Sequence, residues 1–217
     1  MKKLFITLSF TVSVLLANAQ IQKGTTFIGG NAGFLTAGGE TKSGGVSVDD
    51  PTSTNFSIAP TGGFYVTDKI AITAGIGFDF ASTKTESGNN ETKSTTNLFS
   101  VIPGARYNMP ITEKFGAFVQ GSAQIGFGGG TNSNTVGGVE TSVDQKEFKF
   151  DIGIAPGILY FVKNNLAIEA SYGRLGYNTT KSTVEATGGD VEHTRNTLDF
   201  GLNTRSISFG FLYYLNQ

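Results

Sequence analysis

The sequence predicts an all-β chain, an eight-stranded antiparallel up-and-down transmembrane β-barrel, and three observations carry the prediction. Segments of about ten residues alternate bulky apolar with small or polar side chains, the period of an extended strand. Short and long polar connections between those segments alternate strictly. Past Gln20 no window is apolar enough, or long enough, to be a membrane helix, so any span must be made of strands.

The first residues differ from all that follow. Lys2 and Lys3 precede an apolar run from Leu4 to Leu16 and then Ala17-Asn18-Ala19, the charged, apolar and small-residue order of a secretory leader. The run is too short for a transmembrane helix, which needs ~18 or more apolar residues. Residues 1–19 are therefore expected to be a signal peptide cleaved after Ala19, leaving 20–217 as one barrel domain. Removal of the two lysines leaves 14 basic against 17 acidic residues, a net charge of −3.

Eight strands are then read at about 25–35, 56–66, 70–80, 97–108, 115–127, 146–161, 166–177 and 204–215. Three of the hairpins repeat one pattern, around Ile58-Ala-Pro60, Val101-Ile-Pro103 and Ile154-Ala-Pro156. Each is an apolar residue, a proline two positions on, an aromatic four residues after the proline, a short polar turn and a fresh alternating strand. Proline is unusual in a central strand, and its recurrence at one relative position predicts a shared bulge or bend. The short turns fall around Asp68-Lys69, Pro110 to Lys114 and Lys163 to Asn165. The long connections, rich in Gly, Ser, Thr and Asn, are read as four surface loops: Thr36 to Asn55, Ala81 to Thr96, Gly128 to Gln145 and Asn178 to Asn203.

Composition narrows the function. With no cysteine, thiolate redox and zinc-thiolate chemistry are excluded. A whole-chain net charge of −1, without clustered Lys or Arg, offers no footprint for nucleic acid. The faces of the strands decide the rest. In Ile70–Phe80, Ile70, Ile72, Ile76, Phe78 and Phe80 share one face with Ala74, while the other holds Ala71, Thr73, Gly75, Gly77 and Asp79. A soluble sheet would dress its wet face with Lys, Glu and Thr; here that face is mostly Gly, Ala, Ser and Gln, suited to a narrow, filled eight-stranded interior. Aromatics gather beside the short turns (Phe64, Tyr107, Phe115, Tyr160, Tyr213) and again near the long loops (Phe78, Phe80, Phe99, Phe127, Phe148), as the two bilayer interfaces select. The apolar face is expected to meet outer-membrane lipid. The alternative is a soluble extracytoplasmic ligand-binding barrel, lipocalin-like, with that face turned inward.

The start ANAQIQKGTTFIGGNAGF, the repeated I-x-P-x-x-x-[FY] hairpins and the closing SISFGFLYYLNQ resemble the small outer-membrane β-barrel domain family of Gram-negative bacteria, over all of the mature chain. The resemblance implies an integral outer-membrane protein inserted by the barrel-assembly machinery, with Phe209, Phe211 and Tyr213 as the aromatic-alternating last strand that this machinery recognises. The expected role is structural or anchoring, or that of a small-solute, porin-like barrel, without enzymatic activity and without a cofactor or metal. An extracellular ligand could be met through the loops.

Candidate chemistry is sparse. His193 is the only histidine, and Ser182, Asp190 and Glu192 share its loop, the residue types of a lipid-modifying hydrolase or acyltransferase. No G-x-S-x-G elbow accompanies them, and a solvated loop is the reading preferred. Asp49-Asp50 lacks the spacing of a calcium loop, and Gly29-Gly30 and Gly128-Gly129-Gly130 lack the setting of a phosphate loop. Parity places Arg106 and Glu169 inside the barrel at the short-turn end, and Asp79, Lys149 and Asp151 inside nearer the loops. Buried charges must be paired, so a structural lumen network of these five residues is expected, with Arg106 and Glu169 as a plug.

Overall fold

The computed structural model describes residues 21–43, 46–185, 189–201 and 207–216. The leader and its cleavage position lie outside these residues, as do 204–206 of the last expected strand. Of the twelve described strands, ten are arranged as eight staves. The first stave is β1 (Thr26–Ala37). A small separate hairpin follows, β2 (Glu40–Ser43) paired with β3 (Val46–Asp49). Then come β4 (Thr52–Tyr65), β5 (Ile70–Ser87), β6 (Asn90–Pro110), β7 (Phe115–Val136) and β8 (Val139–Lys163). The seventh stave is β9 (Leu166–Tyr172) with β10 (Arg174–Val184), and the eighth is β11 (Val191–Gly201) with β12 (Ile207–Tyr214). Antiparallel pairing runs β8, β7, β6, β5, β4, β1, β12, β9 and back to β8, which closes the ring and leaves no free edge along that path.

The stagger of the ring follows from the register. Tyr160 pairs with Ile168, Ile168 with Phe211, Phe211 with Gly30 and Gly30 with Pro60. Beyond the proline the same register continues from Ile76 through Val101 and Ile125 to Phe150, ten residues from Tyr160 on the strand where the path began. Closure with such a shear requires tilted staves. Apart from Gly30, which has no side chain, the residues on this path point outward and trace a belt around the barrel.

Outward and inward faces are those the alternation predicts. Ile72 is 53% and Ile76 64% exposed, whereas Ala71 and Thr73 on either side of Ile72 are buried. The apolar face is the outer face, so the lipocalin-like alternative fails. A soluble barrel would leave this whole belt of isoleucine, valine and phenylalanine in water. Phe78, Phe99, Phe127 and Phe148 are successive register partners, and their outward rings form one arc of the girdle on the loop side; the Phe78 and Phe99 centroids are 4.8 Å apart and those of Phe127 and Phe148 5.3 Å.

Two expectations are corrected. The polar segments Ala81 to Thr96 and Gly128 to Gln145 are not irregular loops but continuations of β5–β6 and β7–β8, and much of Asn178 to Asn203 is β10 and β11. Threonine is β-branched and prefers the pleated backbone, and the tips turn in two residues. Gly137 and Gly138 both have positive φ, 58° and 85°, as a type I′ turn requires, and Gly88 opens the other tip at 59°. Gly128 to Gly130 accordingly lie within β7. The prolines do not share a bulge: pairing lapses beside Pro60 and Pro103, but the register is the same on either side. At Pro156 the irregularity belongs to the partner stave, where Gly173, with φ of 77°, separates β9 from β10 and shifts their register against β8 by one residue.

Candidate functional site in the barrel lumen

Three tiers of inward side chains fill the barrel from the short-turn end upward. The lowest is apolar and aromatic. Phe27, Tyr65, Phe118, Leu159, Leu212 and Tyr214 are each at most 3% exposed, and with Ile21, Phe161 and two alanines they form the hydrophobic core. Phe27 lies between Tyr65 and Tyr214, its ring centroid 5.7 Å from each. The preceding chain is tied over this end, since the Lys23 amide donates to Asp68 Oδ1 at 2.8 Å and the Gly24 amide to the Tyr65 carbonyl at 2.8 Å. Residues from seven staves meet here, so no local sequence window shows the cluster. Its trace in the sequence is that Phe27, Tyr65, Phe118, Leu159, Leu212 and Tyr214 break the run of small residues on the inner face.

The second tier rests on that core. Arg106, 5% exposed, sits over the Phe118 ring at 4.1 Å and near Phe27 at 5.7 Å. Its Nη2 is 2.7 Å from Glu169 Oε2, and its Nε donates to Gln120 Oε1 at 2.8 Å; Gln120 in turn donates to Thr73 Oγ1 at 3.1 Å. The Arg106–Glu169 contact is an ion pair without hydrogen-bond alignment, and Arg106 Nη1 has no hydrogen-bond partner among the described residues. Asn108 donates through Nδ2 to the Tyr65 hydroxyl below. A cavity of about 190 Å³ opens above the pair, reached by Gln120, Thr73, Ser122, Ser171 and Ser208.

The third tier is nearer the hairpins. Asp151 pairs with Arg174, a residue missing from the expected network, and Arg174 Nη1 also lies 3.5 Å from Asp199 Oδ2. A signal for Arg174 does exist in the register: Gly176 and Gly153 face each other beside it, and a Cβ at either would meet the guanidinium within 2.7 Å. Asp79 and Lys149 occupy inner-face positions on β5 and β8 but make no ion pair among the described residues. Of the five expected charges, Arg106 and Glu169 thus form one cluster, Asp151 belongs to a second, and Asp79 and Lys149 join neither, so the five do not make one network among the described residues.

The remaining candidates have plain placements. His193 lies in β11, opposite Ser182, which is itself opposite Glu147. In that row the serine stands between acid and imidazole, whereas nucleophile activation needs the imidazole between serine and acid. Glu192 is held 2.8 Å from Lys181 instead. Asp50 Oδ1 accepts from Thr41 Oγ1 at 2.9 Å, and no cluster of three or more metal-ligating side chains occurs among the described residues.

A closed ring of eight sheared staves, apolar without and filled within, defines a transmembrane β-barrel. The chain belongs to the outer membrane protein beta-barrel domain family, whose model matches residues 5–214. It is an outer-membrane protein. No curated protein sequence matches it. Among solved structures it is similar to the outer membrane protein OprG of Pseudomonas aeruginosa, at 15% identity over 92% of this chain and 100% of that one, with a TM-score of 0.53. Ail, the attachment invasion locus protein of Yersinia pestis, matches at 15% identity over 89% of this chain and 100% of its own, with a TM-score of 0.35. The first of these supports the fold; at such identities neither speaks to activity.

Proposed function

We propose that the protein is a non-enzymatic outer-membrane barrel that carries long polar hairpins and whose lumen is closed at the short-turn end. The supporting observation is the stack of the aromatic core and the Arg106–Glu169 pair, which together occupy the cross-section that a continuous water path would need. Short turns of such barrels are periplasmic and long hairpins extracellular, so the closed end faces the periplasm. On this reading residues 1–19 deliver the chain across the inner membrane and are removed. The barrel-assembly machinery inserts it, reading Phe209, Phe211 and Tyr213 on the last strand, and the hairpins are the place where an extracellular ligand would be met. The order Glu147, Ser182, His193 argues against a catalytic triad at the rim.

Purified protein in planar bilayers should show little or no steady conductance. Large, stable channels in the unmodified protein would overturn the closed-lumen reading and make the barrel a pore.

A further inference from the structure

We propose that the barrel wall has a lateral portal between β1 and β12, through which a small, uncharged and largely apolar solute passes between the lumen and the surrounding lipid. The inference rests on the closed-lumen reading and adds a sideways exit to a lumen shut at its short-turn end.

The last joint of the ring is short. β1 pairs with β4 along twelve residues, Thr26–Ala37, but with β12 along only four, Phe27–Gly30 against Tyr214–Phe211. Both strands run on beyond that joint. Asn31–Phe34 pair on the β4 side alone and Ile207–Gly210 on the β9 side alone, so no ladder crosses this seam among the described residues. Exposure marks the same gap. The inward positions Asn31 and Gly33 are exposed where their β4 partners Ala59 and Ser57 are half-buried, and Ser208 is exposed where its β9 partner Ser171 is half-buried.

Height places the seam in the apolar band. It starts at Gly30 on the outward belt and ends at Phe34, whose partner Phe56 meets Phe80 of the loop-side girdle. Backbone without a partner at membrane depth is tolerated only where it is buried in protein or lines a water-filled cavity. The lumen cavity, lined by the hydroxyls of Ser122, Ser171 and Ser208, can hold that water. Gly30, Asn31 and Phe209 line this cavity, and the same three residues line an apolar groove on the outer wall together with Ile58, Ile76 and Phe211. Cavity and groove therefore adjoin at the seam.

The two sides of the seam select the solute. A charged molecule would have to enter hydrocarbon, where a bare charge is costly, and a strongly polar one would leave its hydrogen bonds behind. A small apolar or amphipathic molecule gives up little hydration and gains contact with the isoleucines and Phe211 of the groove.

The test uses the intact barrel in phosphatidylcholine vesicles, the chain having no native cysteine. Ala32 and Phe209 would face each other if the register of Gly30 with Phe211 continued, as Ile28 and Tyr213 do below. Copper-phenanthroline oxidation should therefore join Ile28→Cys with Tyr213→Cys at least tenfold faster than Ala32→Cys with Phe209→Cys. Equal rates would mean a closed seam and overturn the proposal, and quantitative disulfide-linked dimers of Ala32→Cys alone would overturn it by making the edge a pairing site for a second copy. Passage is read from Ser122→Cys inside the lumen, which N-phenylmaleimide should modify at least tenfold faster than N-(4-carboxyphenyl)maleimide, the same reagent carrying a charge. Ala32→Phe, which fills the seam from the lipid side, should remove that advantage, whereas Ala123→Phe, on the outer face of β7, should keep it. Heat-dependent gel migration verifies that each variant is folded, and Asn31→Phe takes the place of Ala32→Phe if the latter fails to fold. Equal rates for the two reagents, or an advantage that survives in the folded seam-filled variant, would overturn the proposal. Conductance is read separately: open channels would refute the closed lumen, whereas closed membranes without the uncharged reagent's advantage would refute only the portal.

Discussion

The inner face of the barrel is built differently at its two ends, although one alternation runs through both. At the short-turn end the inward positions hold Phe27, Tyr65, Phe118 and Tyr214, shut away from solvent. On the extended hairpins the same parity carries Thr92, Asn132, Asn134 and Gln145, whose amides and hydroxyls bond one another across strands: Asn132 donates to Gln145 at 3.1 Å, and Thr92 to Asn134 at 3.3 Å. The outer face changes in the opposite sense. Isoleucine and phenylalanine in the band give way to charged residues such as Lys84, Glu86 and Glu91 above it, where Lys84 pairs with both acids. Inside and outside are therefore labels for two different solvents, and each solvent changes with height. Below, the interior is the driest part and lipid the surroundings; above, both faces are wet and only the ladder of backbone pairing holds the sheet.

The largest effect expected from this contrast is on the aromatic tier. Phe118→Ala would remove a buried ring and the surface on which Arg106 rests, and should destabilise by about 3–5 kcal/mol in refolding titrations. Thr85→Ala on the hairpin should stay within about 0.5 kcal/mol, as for other surface changes. Equal losses would mean that the lower tier is not a packed core.

Next comes the lipid face. Ile76→Arg places a charge on the outward belt and should cost about 2–4 kcal/mol near midplane, whereas Ser142→Arg, exposed and outward on the β7–β8 hairpin above the membrane, should cost little. A similar cost for both would place the bilayer elsewhere on the barrel.

The ion pair is third. Breaking a fully buried pair costs about 3–5 kcal/mol, but Glu169 is one-fifth exposed, so Glu169→Gln should lose less, about 2–3 kcal/mol. Combining it with Arg106→Gln should recover part of that loss. Strictly additive losses would show that the two residues do not act as a pair.

The smallest effect is at the hairpin tips. Hydrogen bonds to Glu86 and then Glu91 hold Lys84 above its ordinary value of 10.5. A raised value in the folded state means that the contribution of this contact is complete below 10.5 and is lost only as pH rises through the higher folded value. A ¹³Cε titration of Lys84 should therefore show a midpoint above 10.5, and Glu86→Gln with Glu91→Gln should return it toward that value.

The sequence by itself determined the number of staves, the short turns and the direction each side chain faces, because these follow from a period of two and from local turn chemistry. Ile76 outward and Arg106 inward are legible in a window of a few residues. It under-reads the hairpins, since Thr- and Ser-rich stretches have the composition of loops although their β-branched residues and Gly-Gly tip allow continued pairing. Only the tertiary structure decided which inward residues share a height. That depends on the ten-residue shear accumulated around the closed ring, a quantity that no local stretch of chain contains. The shear brings Arg106 of β6 to Glu169 of β9, gives Asp151 to Arg174 rather than to Lys149, and gathers Phe27, Tyr65, Phe118, Leu159 and Tyr214 from five staves into one core.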